Sequence, residues 1–441
     1  MLGNQQSNFE RFKKELNYTY EKVSFYRKHM DNAGTDPNSI RSPADIMKLP
    51  YTEKKHYRKN FPLGVLAKGY KPNDIRLTRS QSSGTTGDRL VTVEVGMLLL
   101  NRALKCARAN PAIEKAILNH KRKTCRYAAP NCSDVECANP NSTMEDRLLS
   151  DGTLVLPVYH DLLTTSDELI ERALNEIREY KPDLYYIDPT HFAFLVRHAR
   201  KRGVTLPAAP VMATYTSPTR CSRRQIADMF SGQQGVIELL ASSEMGWLGL
   251  ECPHGRLHMN TDSFFLEVIR DDRYAEPGEI GELYVTSLDN GALPHIRYKT
   301  GDAIRLLNED CPCGNHLPVA EMQGRLVNFI KRENRYLASP QDIDRLIDAP
   351  SWLDQYQCHQ VDENQITLKV LVNDHYSEGV ERELANEVEN YLGQACVVNT
   401  EKLTYIATDR SGKFQATKSE VEMVADVETS TTFGDAHVIS G

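Results

Sequence analysis

Gln81-Ser82-Ser83-Gly84-Thr85-Thr86-Gly87 sets four hydroxyl side chains and two glycines between two β-rich runs, Ile75-Arg76-Leu77 and Val91-Thr92-Val93. Glycines let a backbone approach an anion closely, successive N–H groups form a concave nest for it, and Ser and Thr hydroxyls add donors. Composition alone balances this reading against a flexible surface loop of small residues. The stretch is not a P-loop of the Gly-Lys-Ser/Thr type, because no such tripeptide follows. Residues 71–96 thus read as strand, Gly-rich loop, strand.

Outward from this loop the pattern stays mixed. Phe9, Phe12, Leu16, Tyr20 and Val23 recur at helical spacing within the first fifty residues. Residues 166–180 read as an amphipathic helix with Ser166 or Asp167 as N-cap and Lys181-Pro182 as its stop. Residues 184–270 alternate short β-rich and helical stretches. Residues 281–286 and 303–307 read as strands. A break near 324–331 precedes a compact segment with a helix over 339–348, a strand over 365–372 and a helix over 381–392, which suits the order β-α-β-β-α-β. From about Thr429 the chain is small and polar, which predicts a disordered tail.

The whole chain has 441 residues, a net charge of −7 and 26% charged residues. That length suits two or three domains, and the acidic balance excludes nucleic acid as a bulk partner. The longest apolar run, Val95 to Leu100, is far short of the ~20 residues that span a bilayer. The N-terminus has no apolar h-region, so no secretory signal is expected and a cytoplasmic location follows. Ten cysteines in so long a chain are not a secreted disulfide scaffold.

Ser82-Ser83-Gly84-Thr85-Thr86-Gly87 resembles the phosphate-binding signature of the adenylate-forming superfamily. Three upstream segments narrow the resemblance: residues 20–28, Leu49-Pro50-Tyr51-Thr52-Glu53-Lys54, and Phe61-Pro62-Leu63-Gly64. With Glu251-Cys252, Leu257-His258 and Glu279-Ile280-Gly281-Glu282-Leu283, they are similar to the phenylacetate–CoA ligase branch. The resemblance covers nearly the whole chain and is weakest between about 100 and 220. It implies a large N-terminal α/β adenylate-forming domain over 1–325, a small C-terminal α+β lid over 326–427 and a tail over 428–441.

It also implies roles. Residues Ser82 to Gly87 would cradle ATP phosphates. Ser242-Ser243-Glu244 matches the end of the Tyr-Gly-x-x-Glu motif, with Ser242 at the nucleotide and Glu244 on Mg²⁺; Leu240 and Ala241 stand where the motif has its aromatic residue and glycine. Asp302 of Tyr298-Lys299-Thr300-Gly301-Asp302 would accept the ribose hydroxyls, which alone would read as turn chemistry. Arg325 of Gly324-Arg325 would contact ribose or phosphate. Two residues later Val327 replaces the usual acidic or lysine hinge. Lys413 of Ser411-Gly412-Lys413-Phe414 would enter the site during adenylation.

Cys252-Pro253-His254-Gly255-Arg256-Leu257-His258 and Cys311-Pro312-Cys313-Gly314 offer four soft ligands for tetrahedral Zn²⁺. The preferred set is Cys252, His258, Cys311 and Cys313, with His254 and His316 as substitutes and metal-free buried cysteines as the alternative. Cys125, Cys132 and Cys137 are spaced too loosely for a ligand set. The implied activity is conversion of a carboxylic acid, aryl or small and polar, to acyl-AMP and pyrophosphate, then transfer to CoA. Residues 185–217 should line the acid pocket. Two rivals stand beside it: acyl or adenylyl transfer to a protein thiol or hydroxyl, carrier proteins included, or to another small-molecule acceptor, and a non-catalytic nucleotide sensor. A homodimer is left open, and neither nucleic acid nor membrane is expected as a partner.

Overall fold

A computed structural model describes residues 5–81, 90–128, 141–158, 161–230, 232, 235–393, 395–423 and 432–433. The signature loop from Ser82 to Gly87 lies outside the described residues, as do Cys132 and Cys137. The chain divides into two compact units, one of Met1–Glu114 with Leu239–Glu321, the other of Lys115–Glu238 with Met322–Gly441. No helix among the described residues is long and apolar enough to cross a membrane.

The first unit is built on antiparallel pairing. The strands Phe264–Arg270, Ile280–Ser287 and Tyr298–Leu306 pair in sequence. Leu257–Met259 pairs with the start of Val319–Arg325 and with Gly246–Glu251, which pairs in turn with residues 239–242. All seven residues of Phe264–Arg270 are buried. A strand whose two faces are covered must be apolar or paired throughout; its charged Glu267 meets Arg297 at 3.2 Å. The expected N-terminal helix is present as Gln5–Lys22, followed by Ser24–Asn32. Its predicted apolar stripe is buried at Phe9, Phe12 and Leu16, and Phe12 packs on Phe265 with ring centres 4.9 Å apart. The strands flanking the signature loop, Leu77–Gln81 and Val91–Val95, form an antiparallel hairpin ladder, with the first strand starting two residues later than Ile75.

The second unit carries a parallel sheet in the order 153–155, 124–127, 184–187, 211–213, 236–238. The helices Asp167–Tyr180, Pro189–Lys201 and Arg220–Met229 supply crossovers. The first is capped by Ser166, whose hydroxyl accepts from the Leu169 amide, and stops at Lys181 in the left-handed region. The C-terminal part folds around its own apolar cluster. After the hairpin of Ile330–Arg332 with Arg335–Ala338 come helix Pro340–Ile347, strands Leu353–Asp362 and Gln365–Val372, helix Val380–Leu392 and strand Val397–Leu403. Counted from the second hairpin strand, this is the expected β-α-β-β-α-β order. Thr417–Ser419 then adds a strand beside Leu353–Asp362. In the tail expected to be disordered, Thr432–Phe433 pairs with Arg335–Tyr336; the rest of 428–441 lies outside the described residues.

Candidate active site

In the first unit, Glu244 sits in the turn between the paired strands Val236–Ser242 and Gly246–Glu251. Its side chain is only 5% exposed. An isolated carboxylate there would protonate. Burial does push Glu244 upward, but the Lys54 ammonium and a backbone hydrogen bond outweigh it, so its carboxyl lies below the usual range. Lys54 Nζ stands 3.3 Å from Oε1, and the Tyr298 hydroxyl donates to the same oxygen at 3.3 Å. Behind them His295 is fully buried, stacked on Tyr57 at 4.8 Å and edge-on to Tyr298 at 5.1 Å. Burial lowers His295 to about 3, against the pull of the Glu244 carboxylate.

Asp302 lies on the strand that begins with Tyr298, four residues further along. Gly301, at φ +77°, turns the backbone there, and the Thr300 hydroxyl accepts the Asp302 amide at 3.0 Å while donating to the Leu283 carbonyl. Ser242 ends its strand and accepts the Met245 amide at 3.1 Å. The first unit thus holds Glu244, Ser242 and Asp302.

Arg325 and Lys413, also expected at the nucleotide, belong to the second unit. Gly324, before Arg325, has φ +101°, and a Cβ there would lie 2.6 Å from the Pro340 ring. Glycine is therefore required by both backbone and packing. Val327, at the expected hinge position, is exposed, and its carbonyl accepts from Lys331 Nζ at 2.9 Å. Lys413 sits in a loop organised by Asp409. The Asp409 carboxylate accepts the amides of Ser411 and Lys413, the Ser411 hydroxyl and the Gln415 amide. Phe414, next in the chain, is buried in the apolar cluster of the parallel-sheet layer.

Residues 185–217 deliver one buried polar group. Asp188 caps helix Pro189–Lys201, accepting from the Thr190 and His191 amides and from the Thr216 hydroxyl at 3.1 Å; His191 Nδ1 lies 2.9 Å from it. This group stands at the carboxyl end of Leu184–Ile187, where ligands bind in open α/β sheets. Tyr186 and Tyr215 meet edge to face nearby in the chain.

The four preferred metal ligands come together in the first unit: one donor atom each from Cys252, His258, Cys311 and Cys313 lies within 4.8 Å of the others. Cys252 Sγ is 3.6 Å from Cys311 Sγ, and Cys313 Sγ is 3.2 Å from His258 Nε2. A tetrahedron with metal–sulfur bonds of about 2.3 Å puts sulfurs roughly 3.8 Å apart, so the spacing fits. The His258 Nδ1 meets the Leu317 carbonyl at 2.8 Å, which sets Nδ1 as the protonated nitrogen and turns the Nε2 lone pair inward. Amides of His254 and Asn315 donate to Cys252 and Cys313 at 3.4 Å each. His254 and His316 are not in the group. Cys125 is a buried free thiol.

Motif reading missed three contributors. Lys54 and the Tyr298 hydroxyl act on Glu244 from distant sequence, and Asp409 organises the Lys413 loop. Lys54 and Tyr298 fall inside quoted motifs, which was their available signal; Asp409 has the Asp-x-Ser-Gly look of a side-chain-capped turn.

No protein-family model matches the chain. The phenylacetate-coenzyme A ligase of Thermus thermophilus is 28% identical over 331 residues, 72% of this chain and 69% of that protein. That of Aromatoleum evansii is 24% identical over 428 residues, 88% of each chain. Among solved structures, 2-hydroxyisobutyryl-CoA ligase in the postadenylation state, in complex with 2-HIB-AMP, matches with a TM-score of 0.71 at 16% identity. The match covers 96% of this chain and 90% of that one, a likeness of fold.

Proposed function

We propose, from the premise that this chain is a phenylacetate–CoA ligase-like member of the adenylate-forming superfamily, that it activates a carboxylic acid with ATP and passes the acyl group to CoA. In the first step the acid's carboxylate attacks the α-phosphorus of ATP and pyrophosphate leaves. In the second the CoA thiol takes the acyl group and AMP leaves. The observation that carries this reading is Glu244: a buried carboxylate kept ionised by Lys54, bonded to the strand that also bears Asp302.

Glu244 fits Mg²⁺, a hard cation that prefers carboxylate oxygen. Bound there, Mg²⁺ would neutralise phosphate charge. Asp302 accepts two ribose hydroxyls, a task suited to a carboxylate. Ser242 and Arg325 contact the nucleotide, residues Ser82 to Gly87 cradle its phosphates, and Lys413 supplies positive charge where it develops in the first transition state. No protein nucleophile is needed, and the chain contributes positioning and fixed charge. Cys252, His258, Cys311 and Cys313 would hold a structural Zn²⁺, four protein ligands that would leave no position for chemistry. The domains are 1–325 and a lid of 326–427. An aryl or small polar acid is the substrate, and the cytoplasm the compartment; the eight described cysteines are free thiols.

ATP–pyrophosphate exchange across aryl, amino, hydroxy and fatty acids tests this reading. One class of acid is expected to support exchange, with AMP release then accelerated by CoA. Exchange without a CoA effect would move the acceptor to a protein or another nucleophile. No exchange with any acid would leave the nucleotide-sensor reading.

A further inference from the structure

Within the second unit, helix Arg220–Met229 grips the C-terminal segment through Arg220, Arg224 and Gln225, and the Arg220 guanidinium also pairs with the Asp348 carboxylate. At the helix N-terminus, the Arg220 amide donates to both oxygens of Asp344, at 3.2 and 3.0 Å. Asp344 is 5% exposed and also accepts the Tyr356 hydroxyl at 2.8 Å. A carboxylate at a helix N-terminus is favoured by the free amides and the helix dipole. One turn on, Arg224 donates through Nη1 to the carbonyls of Ala349, at 2.6 Å, and Pro350, and through Nη2 to that of Leu353 at 2.6 Å. Beside it, Gln225 donates to the Asp354 carbonyl at 2.7 Å and accepts from Arg197 at 3.0 Å.

The gripped segment is held in a costly shape. Asp348 and Ala349 both have left-handed backbones, at φ +46° and +47°. Neighbouring non-glycine residues in that region persist only where their surroundings over-determine them. Here the over-determining contacts are the three-carbonyl bracket of Arg224 and the pairing of Arg220 with Asp348.

The contact is polar. Among the described buried residues of the C-terminal apolar cluster, Cys221 is the one contributed by helix Arg220–Met229. Carbonyls bracketed by arginine resemble a releasable contact, whereas the second attachment is partly apolar. The same segment attaches to the same unit a second time near Lys413. The Tyr405 hydroxyl bonds the Asp161 carboxylate, and Ile406 and Phe414 enter the parallel-sheet core.

Resting on the two-step reading above, we infer that helix Arg220–Met229 is the dock that holds the C-terminal segment in its adenylating arrangement, and that Arg224 is a positioning residue acting through Lys413. Nothing in the Arg224 bracket meets a reacting atom; it fixes the body that carries the lysine.

The test is a double-mutant cycle on the full-length protein. Arg224→Ala is expected to slow ATP–pyrophosphate exchange about ten-fold, as a population shift away from the docked state. Transfer to CoA from a supplied, premade acyl-adenylate is expected to hold its rate or rise. In the Lys413→Ala background the Arg224→Ala change is expected to add no further slowing, since it acts through the missing lysine. Arg224→Lys keeps the charge but spans fewer carbonyls, so it gives an intermediate slowing and serves as the readout if the alanine variant does not fold. Equal slowing of both half-reactions, or multiplicative slowing on top of Lys413→Ala, overturns the inference, as does an indifferent Arg224→Ala. If the wild-type protein exchanges pyrophosphate with no acid, the parent reading falls and takes this inference with it.

Discussion

Glu244 and Glu15 are buried carboxylates of the same unit, and their surroundings drive them in opposite directions. Glu244 has an ammonium beside it and stays below the usual range. Glu15 lies on helix Gln5–Lys22, between Phe12 and Leu16, and is 1% exposed. Burial raises it to about 8, with Asp289 adding to the rise; the Asn290 amide, Arg102 and Ser287 oppose without cancelling it. Arg102 spends itself elsewhere, bidentate on Asp289 at 2.6 and 2.7 Å. Glu244 was legible because a motif named it, whereas Glu15 reads from sequence as one more polar residue of an amphipathic helix. Its partners lie some 270 positions away in the chain, and no local pattern announces them. Because the folded state holds the Glu15 proton more tightly than the unfolded chain, the stability this contributes is complete below the ordinary value of 4.5 and is lost as pH rises through about 8. One linked proton gives a slope of at most about 1.4 kcal/mol per pH unit over that window. Glu15→Gln is expected to flatten the fall of the first unit's denaturation midpoint between pH 5 and 8. Parallel curves for the two proteins would show that Glu15 is ionised in the folded state.

At the scale of elements, periodicity and caps were sufficient where the signal is local. Helix Asp167–Tyr180 is capped by Ser166, one of its two N-cap candidates, and strand Gln365–Val372 falls on its predicted residues. Pairing was not legible, because which strand lies beside Leu257–Met259 depends on contacts sixty residues off. The cysteine knot is the exception. Its two Cys-Pro turns are local, and the chemistry of their ligands implies that they meet. Gly255 and Gly314, at φ +68° and +73°, close those turns. Such a cluster, if metal-bound, makes binding energy into folding energy. Protein purified without oxygen and washed with chelator is expected to retain about one zinc per chain. Cys311→Ser is expected to lose it and to lower the melting of the first unit while nucleotide affinity changes little. Metal-free wild-type protein would leave four reduced thiol and imidazole groups packed for their own sake.

For the whole molecule, the decisive side chain is the one with the least local work. Lys413 is half-buried in a loop whose geometry belongs to Asp409, whose carboxylate accepts the Ser411 and Lys413 amides at 2.8 and 3.0 Å. Removing the Lys413 side chain therefore leaves every one of those bonds in place, and Lys413→Ala is expected to shift thermal stability by no more than ~0.5 kcal/mol. Its charge is expected to serve the first half-reaction. In a two-step ligase whose lid takes one arrangement for each step, a lysine on the lid serves only the arrangement that brings it to the acyl-phosphate. Loss of one preorganised positive charge there is expected to slow acyl-adenylate formation by roughly 10²–10³-fold. Transfer from a supplied acyl-adenylate to CoA uses the other arrangement and is expected to keep its rate. Val327, which stands where the family resemblance expects an ionisable hinge residue, is exposed and offers its backbone carbonyl to Lys331. Pyrophosphate exchange measured beside single-turnover transfer separates the outcomes. A sensor shows neither reaction, a damaged fold loses both, and equal slowing of the two halves by Lys413→Ala would mean that one fixed arrangement of the chain performs both steps.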